Sequence, residues 1–201
     1  MTGEMHDERV PPSITAFFPD ARPVWAAALP VRSRLDRIDQ IALLVEDRDA
    51  AIEYFGAAFG WGPFYPATAR GHCEYKGRQV TFELAVAFTM VGDLEIELVQ
   101  PLTGDSLYRD QLREAGEGIF HLRFATDEIE PHLERFGDLG IKPVFGWREG
   151  RWITANLDSH HRHGLRAELI LEPGKLAQVL DALGRRVSVP MAQAEEEEEV
   201  P

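Results

Sequence analysis

The sequence predicts an α+β fold in which one β-α-β-β-β unit occurs twice. Three observations lead there. Short apolar runs alternate with helical patterns, residues 37–60 resemble residues 118–140, and polar side chains fall at matching places in both copies. Laying GIFHLRFATDEIEPHLERFGDLG under RIDQIALLVEDRDAAIEYFGAAFG aligns His121 with Gln40. At the same offset Glu53 meets Glu134, Phe55 meets Phe136 and Gly56 meets Gly137. Apolar positions pair as Ile41/Leu122, Leu43/Phe124 and Ile52/Leu133. Further on, IELVQP (96–101) matches AELILEP (167–173) and sets Glu97 beside Glu168.

The elements follow in order. Residues 1–34 are broken by PPS, FFPDARP and ALPVRS and read as an extended arm, anchored by Phe17, Phe18, Val24 and Trp25. A domain is expected over 35–173, with modules at about 36–100 and 117–173. Its first strand, 38–45, runs into a helix at 47–59 whose Ala51, Ile52, Phe55 and Phe59 recur at helical spacing. Asp47 or Asp49 caps the start of that helix and Gly60 its end. WGPFYPA reads as a turn into a short strand. TFELAVAFTM (81–90) and LEIELVQ (94–100) form a hairpin about Val91-Gly92-Asp93. SLYRDQLREAG (106–116) is a short helix stopped by Gly116. The second copy predicts a strand at 119–125, a helix at 127–139, and strands at 142–147, 151–157 and 165–171. A last helix over 174–186 leads to an acidic, disordered tail at 187–201.

Composition narrows the function. The formal net charge is −13, and it stays near −8 without the Glu195–Glu199 run, which argues against nucleic acid or an anionic membrane as partner. No apolar run reaches the length of a membrane span, and the N-terminal MTGEMHDERVPPS lacks a secretory pattern. The single cysteine, Cys73, fits a reducing cytoplasm. The apolar arm predicts a homodimer in which it wraps the neighbouring chain.

Gln40, His121, Glu97 and Glu168 are the four polar residues at equivalent places, each among apolar neighbours. If the copies pack about a pseudo-twofold axis, these side chains converge on one cleft. Two carboxylates, an imidazole and an amide oxygen suit Zn²⁺, Co²⁺, Ni²⁺ or Mn²⁺. The competing reading is a solvated strand face, because Glu95 shares the face of Glu97.

Residues 36–172 resemble the vicinal oxygen chelate (glyoxalase/bleomycin resistance/dioxygenase) superfamily. The likeness rests on ID-x-IALLVEDRDAAIEYF, GDLEIELVQPLTGDSLYRDQL and GEGIFHLRFATDEIEPHLERFGDLGIKPV, and is strongest toward the methylmalonyl-CoA epimerase-like branch. The resemblance implies paired βαβββ modules forming a cupped, mostly antiparallel sheet around a central cleft that holds one divalent metal. It places the metal on Gln40, Glu97, His121 and Glu168. Two positions depart from the epimerase pattern: Gln40 stands where epimerases carry a histidine, and Phe120 stands where a further histidine often occurs. Animal-type glyoxalase I is similar to this chain in using a Gln/Glu/His/Glu set. The epimerase-type base has no clear counterpart; Val86 falls near its place, with Glu83 three residues upstream.

What the resemblance implies is an epimerase, isomerase or lyase that removes a proton next to a carbonyl, with Glu168, or secondly Glu83, as the base. Acyl-CoA, a thiol adduct or an oxo acid would be the small-molecule substrate. Two alternatives remain: a metal-independent binding protein whose cleft is lined by Trp61, Phe64, Tyr65, Trp147 and Trp152, and an Fe²⁺ dioxygenase. SHHRHG (159–164) reads as a solvated loop or one near the cleft mouth, and Arg148, Arg151 and Arg162 as surface arginines able to meet a substrate anion.

Overall fold

The computed structural model describes residues 35–149, 151–161, 163–172 and 174, apart from the side chains of Glu74 and Glu149. The expected N-terminal arm, the C-terminal helix beyond Gly174, the acidic tail and Arg162 lie outside the described residues. The elements are β1 (Ile38–Leu44), α1 (Arg48–Phe59), β2 (Tyr65–Tyr75), β3 (Arg78–Val91), β4 (Leu94–Thr103), α2 (Leu107–Ala115) and β5 (Gly118–Thr126). They continue as α3 (Glu130–Asp138), β6 (Pro143–Glu149), β7 (Arg151–Leu157) and β8 (Ala167–Leu171).

All eight strands form one sheet in the order β2-β3-β4-β1-β5-β8-β7-β6. Each first strand lies parallel to its module's last strand, β1 to β4 and β5 to β8. The two modules join where β1 and β5 pair antiparallel. The edge strands β2 and β6 come into contact, so the sheet curves almost onto itself. This is the α+β architecture of paired βαβββ modules that the sequence predicts.

Strand alternation separates two faces. On one face α1 packs Ala51, Ile52 and Phe55 against Val45, Ala87, Ile96 and Leu98. On the same face of the second module, Ile129, Leu133 and Phe136 from α3 and the turn before it cover Phe124, Ala155, Leu157, Leu169 and Leu171. The opposite face holds Ala42, Leu44, Leu84, Val86, Val99 and Phe120, closed at one end by Leu107 and Tyr108 of α2. Burial of these side chains, worth about 1.5–3 kcal/mol each for the larger ones, makes the face assignment stable against register slip.

Local signals explain the helix ends. Asp47 accepts from the backbone N–H of Asp49 and Ala50, and Gly60 closes α1 in the left-handed region. Helix α3 starts three residues later than the sequence predicts. Pro131 sits in its first turn, where a missing N–H costs nothing, and no side chain caps it.

The largest difference from expectation is β2, which runs for 11 residues instead of forming a short strand. YPATARGHCEY shows no apolar alternation, because this edge strand has only β3 as a sheet partner. Its hairpin turns at Lys76-Gly77, both at positive φ (50° and 72°). That is the conformation usually supplied by Asn-Gly, so the lysine hides the signal.

Candidate metal centre

The site is built by register. Across the sheet, Glu95 of β4 pairs with Gln40 of β1, Gln40 with Arg123 of β5, Arg123 with Glu168 of β8, and Glu168 with Asn156 of β7. One pleat away, Glu97 and His121 both pair with Ala42. Each of these strands thus sends its polar residues to the face opposite α1 and α3. A bulge in β5 skips Phe120, so Phe120 and His121 are both buried.

Four donors meet there. His121 Nε2 lies 3.0 Å from Gln40 Oε1, 3.2 Å from Glu168 Oε2 and 3.9 Å from Glu97 Oε2. Gln40 and His121 are 1% and 2% exposed, so bulk water does not compete for them. Asn156 donates to Glu168 Oε1 at 2.8 Å, and Gln40 Nε2 donates to Glu95 Oε1 at 2.6 Å. Arg123 binds Glu95 at 3.1 Å and grips Asp39 with two nitrogens, at 3.0 and 3.3 Å.

The electrostatics follow from this packing. Burial pushes the Glu97 carboxyl up to about 8, and the nearby Glu168 charge adds to the shift. Burial also lowers His121, outweighing the opposing pull of Glu168, so its imidazole is neutral at neutral pH. Burial works against the Arg123 charge as well, yet the Asp39 hydrogen bond and the surrounding carboxylates raise its pKa.

Gln40, Glu97, His121 and Glu168 are therefore brought together from four strands. The set is one imidazole nitrogen and three side-chain oxygens, with a neutral imidazole and an under-compensated carboxylate pair. That chemistry fits a divalent ion of the Zn²⁺, Co²⁺, Ni²⁺ or Mn²⁺ kind. Among the described residues no three His, Cys, Asp or Glu side chains stand in ready coordination geometry; the donors instead contact one another.

Glu83 is not brought to the cluster. It pairs with Arg70, and its β4 neighbour is Thr103, whereas Glu97 faces Phe88. Five residues of strand, about 17 Å, separate those positions. Glu95 is 30% exposed on its side chain and tied to Gln40 and Arg123, which replaces the solvated-face reading of β4. The sequence alone does not mark Asp39, Glu95, Arg123 and Asn156 as site residues. The signals available were the i,i+2 spacing of His121 to Arg123 and of Glu95 to Glu97.

A cavity of about 790 Å³ opens between β2, β3, β6 and β7, walled by Phe82, Phe145, Trp147, Arg148, Trp152 and Thr154 among others. Thr154 shares a face of β7 with Asn156, two residues on, but Gln40, Glu97, His121 and Glu168 are not among the residues lining this cavity. Trp147 and Trp152 are cavity residues as expected, whereas Trp61 stacks on Phe55 of α1 at 5.1 Å and packs with Phe64 on the opposite face. The guanidinium of Arg148 lies over the Trp152 ring. His160 and His161 of the SHHRHG loop line a separate cavity of about 490 Å³ with Arg166 and Asp110.

Residues 39–155 match the Glyoxalase/Bleomycin resistance protein/Dioxygenase superfamily, and the chain belongs to it. Among curated proteins, the uncharacterized protein YqjC of Bacillus subtilis (strain 168) is 24% identical over 110 residues, covering 55% of this chain and 71% of that protein. Among solved structures, a Streptomyces coelicolor methylmalonyl-CoA epimerase variant in complex with 2-nitronate-propionyl-CoA is 23% identical. It aligns over 70% of this chain and 99% of that chain, with a TM-score of 0.49. The methylmalonyl-CoA epimerase of Mycobacterium tuberculosis is 22% identical over 70% of this chain and 91% of that chain, with a TM-score of 0.48. No helix among the described residues is long and apolar enough to cross a membrane.

Proposed function

We propose that this protein is a divalent-metal-dependent epimerase, isomerase or lyase that moves a proton on the carbon next to a carbonyl. The observation that supports it is the meeting of Gln40 Oε1, Glu97 and Glu168 around the buried Nε2 of His121. A proton next to a carbonyl is too weakly acidic for a carboxylate to remove unaided. A bound divalent cation would supply the Lewis acidity that offsets the developing negative charge.

This chain's residues divide the remaining work. Gln40, Glu97, His121 and Glu168 would hold the ion, with His121 neutral and its Nε2 directed at the other donors. Glu168 is the base. Asn156 fixes its Oε1, which leaves Oε2 at the cluster to take the proton and return it. The aromatic cavity walled by Phe82, Phe145, Trp147 and Trp152 would receive the substrate, an acyl-CoA, thiol adduct or oxo acid.

Metal analysis of the purified protein tests this. One divalent ion per chain is expected, lost in the Glu97→Ala/His121→Ala double variant, together with deuterium exchange into an acyl-CoA or hemithioacetal substrate. Chelated protein that cannot take up Co²⁺, Ni²⁺, Mn²⁺ or Zn²⁺ overturns the proposal. The size and aromatic lining of the cavity favour one other reading, a metal-independent binding protein. Its ligand affinity would be the same with and without chelator.

A further inference from the structure

We propose that Glu95 is a positioning residue that decides which end of the Gln40 amide faces the donor cluster; this rests on the metal reading above. The two ends of a glutamine amide are nearly alike in shape but opposite in function. The oxygen accepts and can ligate a cation, while the NH₂ only donates. A buried glutamine therefore serves as a metal ligand only if something holds its NH₂ elsewhere.

Glu95 does so. Gln40 Nε2 donates to Glu95 Oε1 at 2.6 Å, and this leaves Oε1 at 3.0 Å from His121 Nε2. Turning the amide over would set its carbonyl oxygen against the Glu95 carboxylate and its NH₂ toward the cluster. Neither contact could be replaced by water, because Gln40 is 1% exposed.

Glu95 is itself held. Arg123 Nη1 lies 3.1 Å from the same Oε1, and the two bonds from Arg123 to Asp39 fix the guanidinium. Gln40 is the registered neighbour of both Glu95 and Arg123, on strands to either side of β1. Backbone pairing thus sets the spacing of the chain Asp39–Arg123–Glu95–Gln40, and the amide is the last link. The arrangement parallels the way a carboxylate orients a metal-bound histidine through its second nitrogen.

A double-mutant cycle on the full-length, chelator-stripped protein tests the assignment, with Co²⁺ affinity read by calorimetry and by the visible absorption of the bound ion. Glu95→Gln is expected to weaken Co²⁺ binding roughly 10- to 100-fold. In a Gln40→Leu background, where no amide is left to orient, the same change is expected to do nothing further. An equal loss in both backgrounds means that Glu95 acts only through its charge and overturns the proposal, as does full affinity in Glu95→Gln. If Glu95→Gln fails to fold, Glu95→Asp takes its place, and unaltered affinity there also overturns it. The side-chain NH₂ resonances of Gln40, recorded without metal, separate the two readings. Protected resonances that move in the Glu95 variant, in a protein that takes up no Co²⁺, leave the orientation standing and remove the metal reading. Resonances indifferent to Glu95 remove the orientation.

Discussion

The two modules share a backbone plan but surround their carboxylates differently. Glu97 of β4 lies between Ala42 of β1 and Phe88 of β3. Glu168 of β8 occupies the same place in its module, yet lies between Arg123 of β5 and Asn156 of β7. One carboxylate thus has apolar flanks and is pushed up to about 8, chiefly by burial. The other has Arg123 as its backbone neighbour on β5 and takes a 2.8 Å hydrogen bond from the Asn156 amide. Duplication supplies equivalent positions, and their neighbours make them chemically unequal. The duplicated positions thus carry carboxylates with different neighbours, Ala42 and Phe88 in one case and Arg123 and Asn156 in the other.

The comparison is broken most severely at Glu168. Glu168→Gln is expected to lower substrate deuterium exchange by about 10²- to 10⁴-fold, the usual worth of a general base. Mass spectrometry of the substrate after incubation in D₂O reads this directly.

The second effect is on stability in the absence of metal. Between the ordinary carboxylate pKa of 4.5 and about 8, folded Glu97 holds a proton that the unfolded chain has lost. Its contribution is therefore full below 4.5 and is lost as pH rises toward 8. His121, His132 and His160 are lowered by burial, so they work in the opposite direction, but only below their ordinary pKa of 6.5. Melting of the chelated protein should thus fall from about pH 6.5 to about pH 8 through Glu97. Saturating Co²⁺ should abolish that slope, because the bound ion keeps Glu97 ionised.

Phe88→Asn sharpens the comparison by giving Glu97 an amide neighbour like that of Glu168. The Glu97 carboxyl resonance should then titrate at least one unit lower, about 1.4 kcal/mol of interaction, and the melting slope should flatten. The smallest effect separates the helices. Asp47 caps α1, whereas α3 has no side-chain cap. Asp47→Ala should cost about 1 kcal/mol in a urea melt, whereas α3 has no side-chain cap bond to lose.

Element order, the duplicated unit and the placing of Gln40, Glu97, His121 and Glu168 were legible in the chain. Buried polar residues in apolar strands stand out against period-two alternation, and repetition at a fixed offset marks them twice. The full length of β2 is not legible in the sequence because an edge strand has little apolar patterning, and its turn carries a lysine at positive φ. Glu83 reads as a candidate base in the sequence because acidity can be read along a strand while distance across a sheet cannot.

By itself the sequence determined which residues alternate inward and where the module repeats, since both are properties of spacing along one chain. Only the tertiary structure decided which strands lie side by side, and hence that Ala42 and Phe88 flank one glutamate while Arg123 and Asn156 flank the other. Register across a sheet is set by packing between segments far apart in sequence, and pKa, amide orientation and donor contacts all depend on those neighbours.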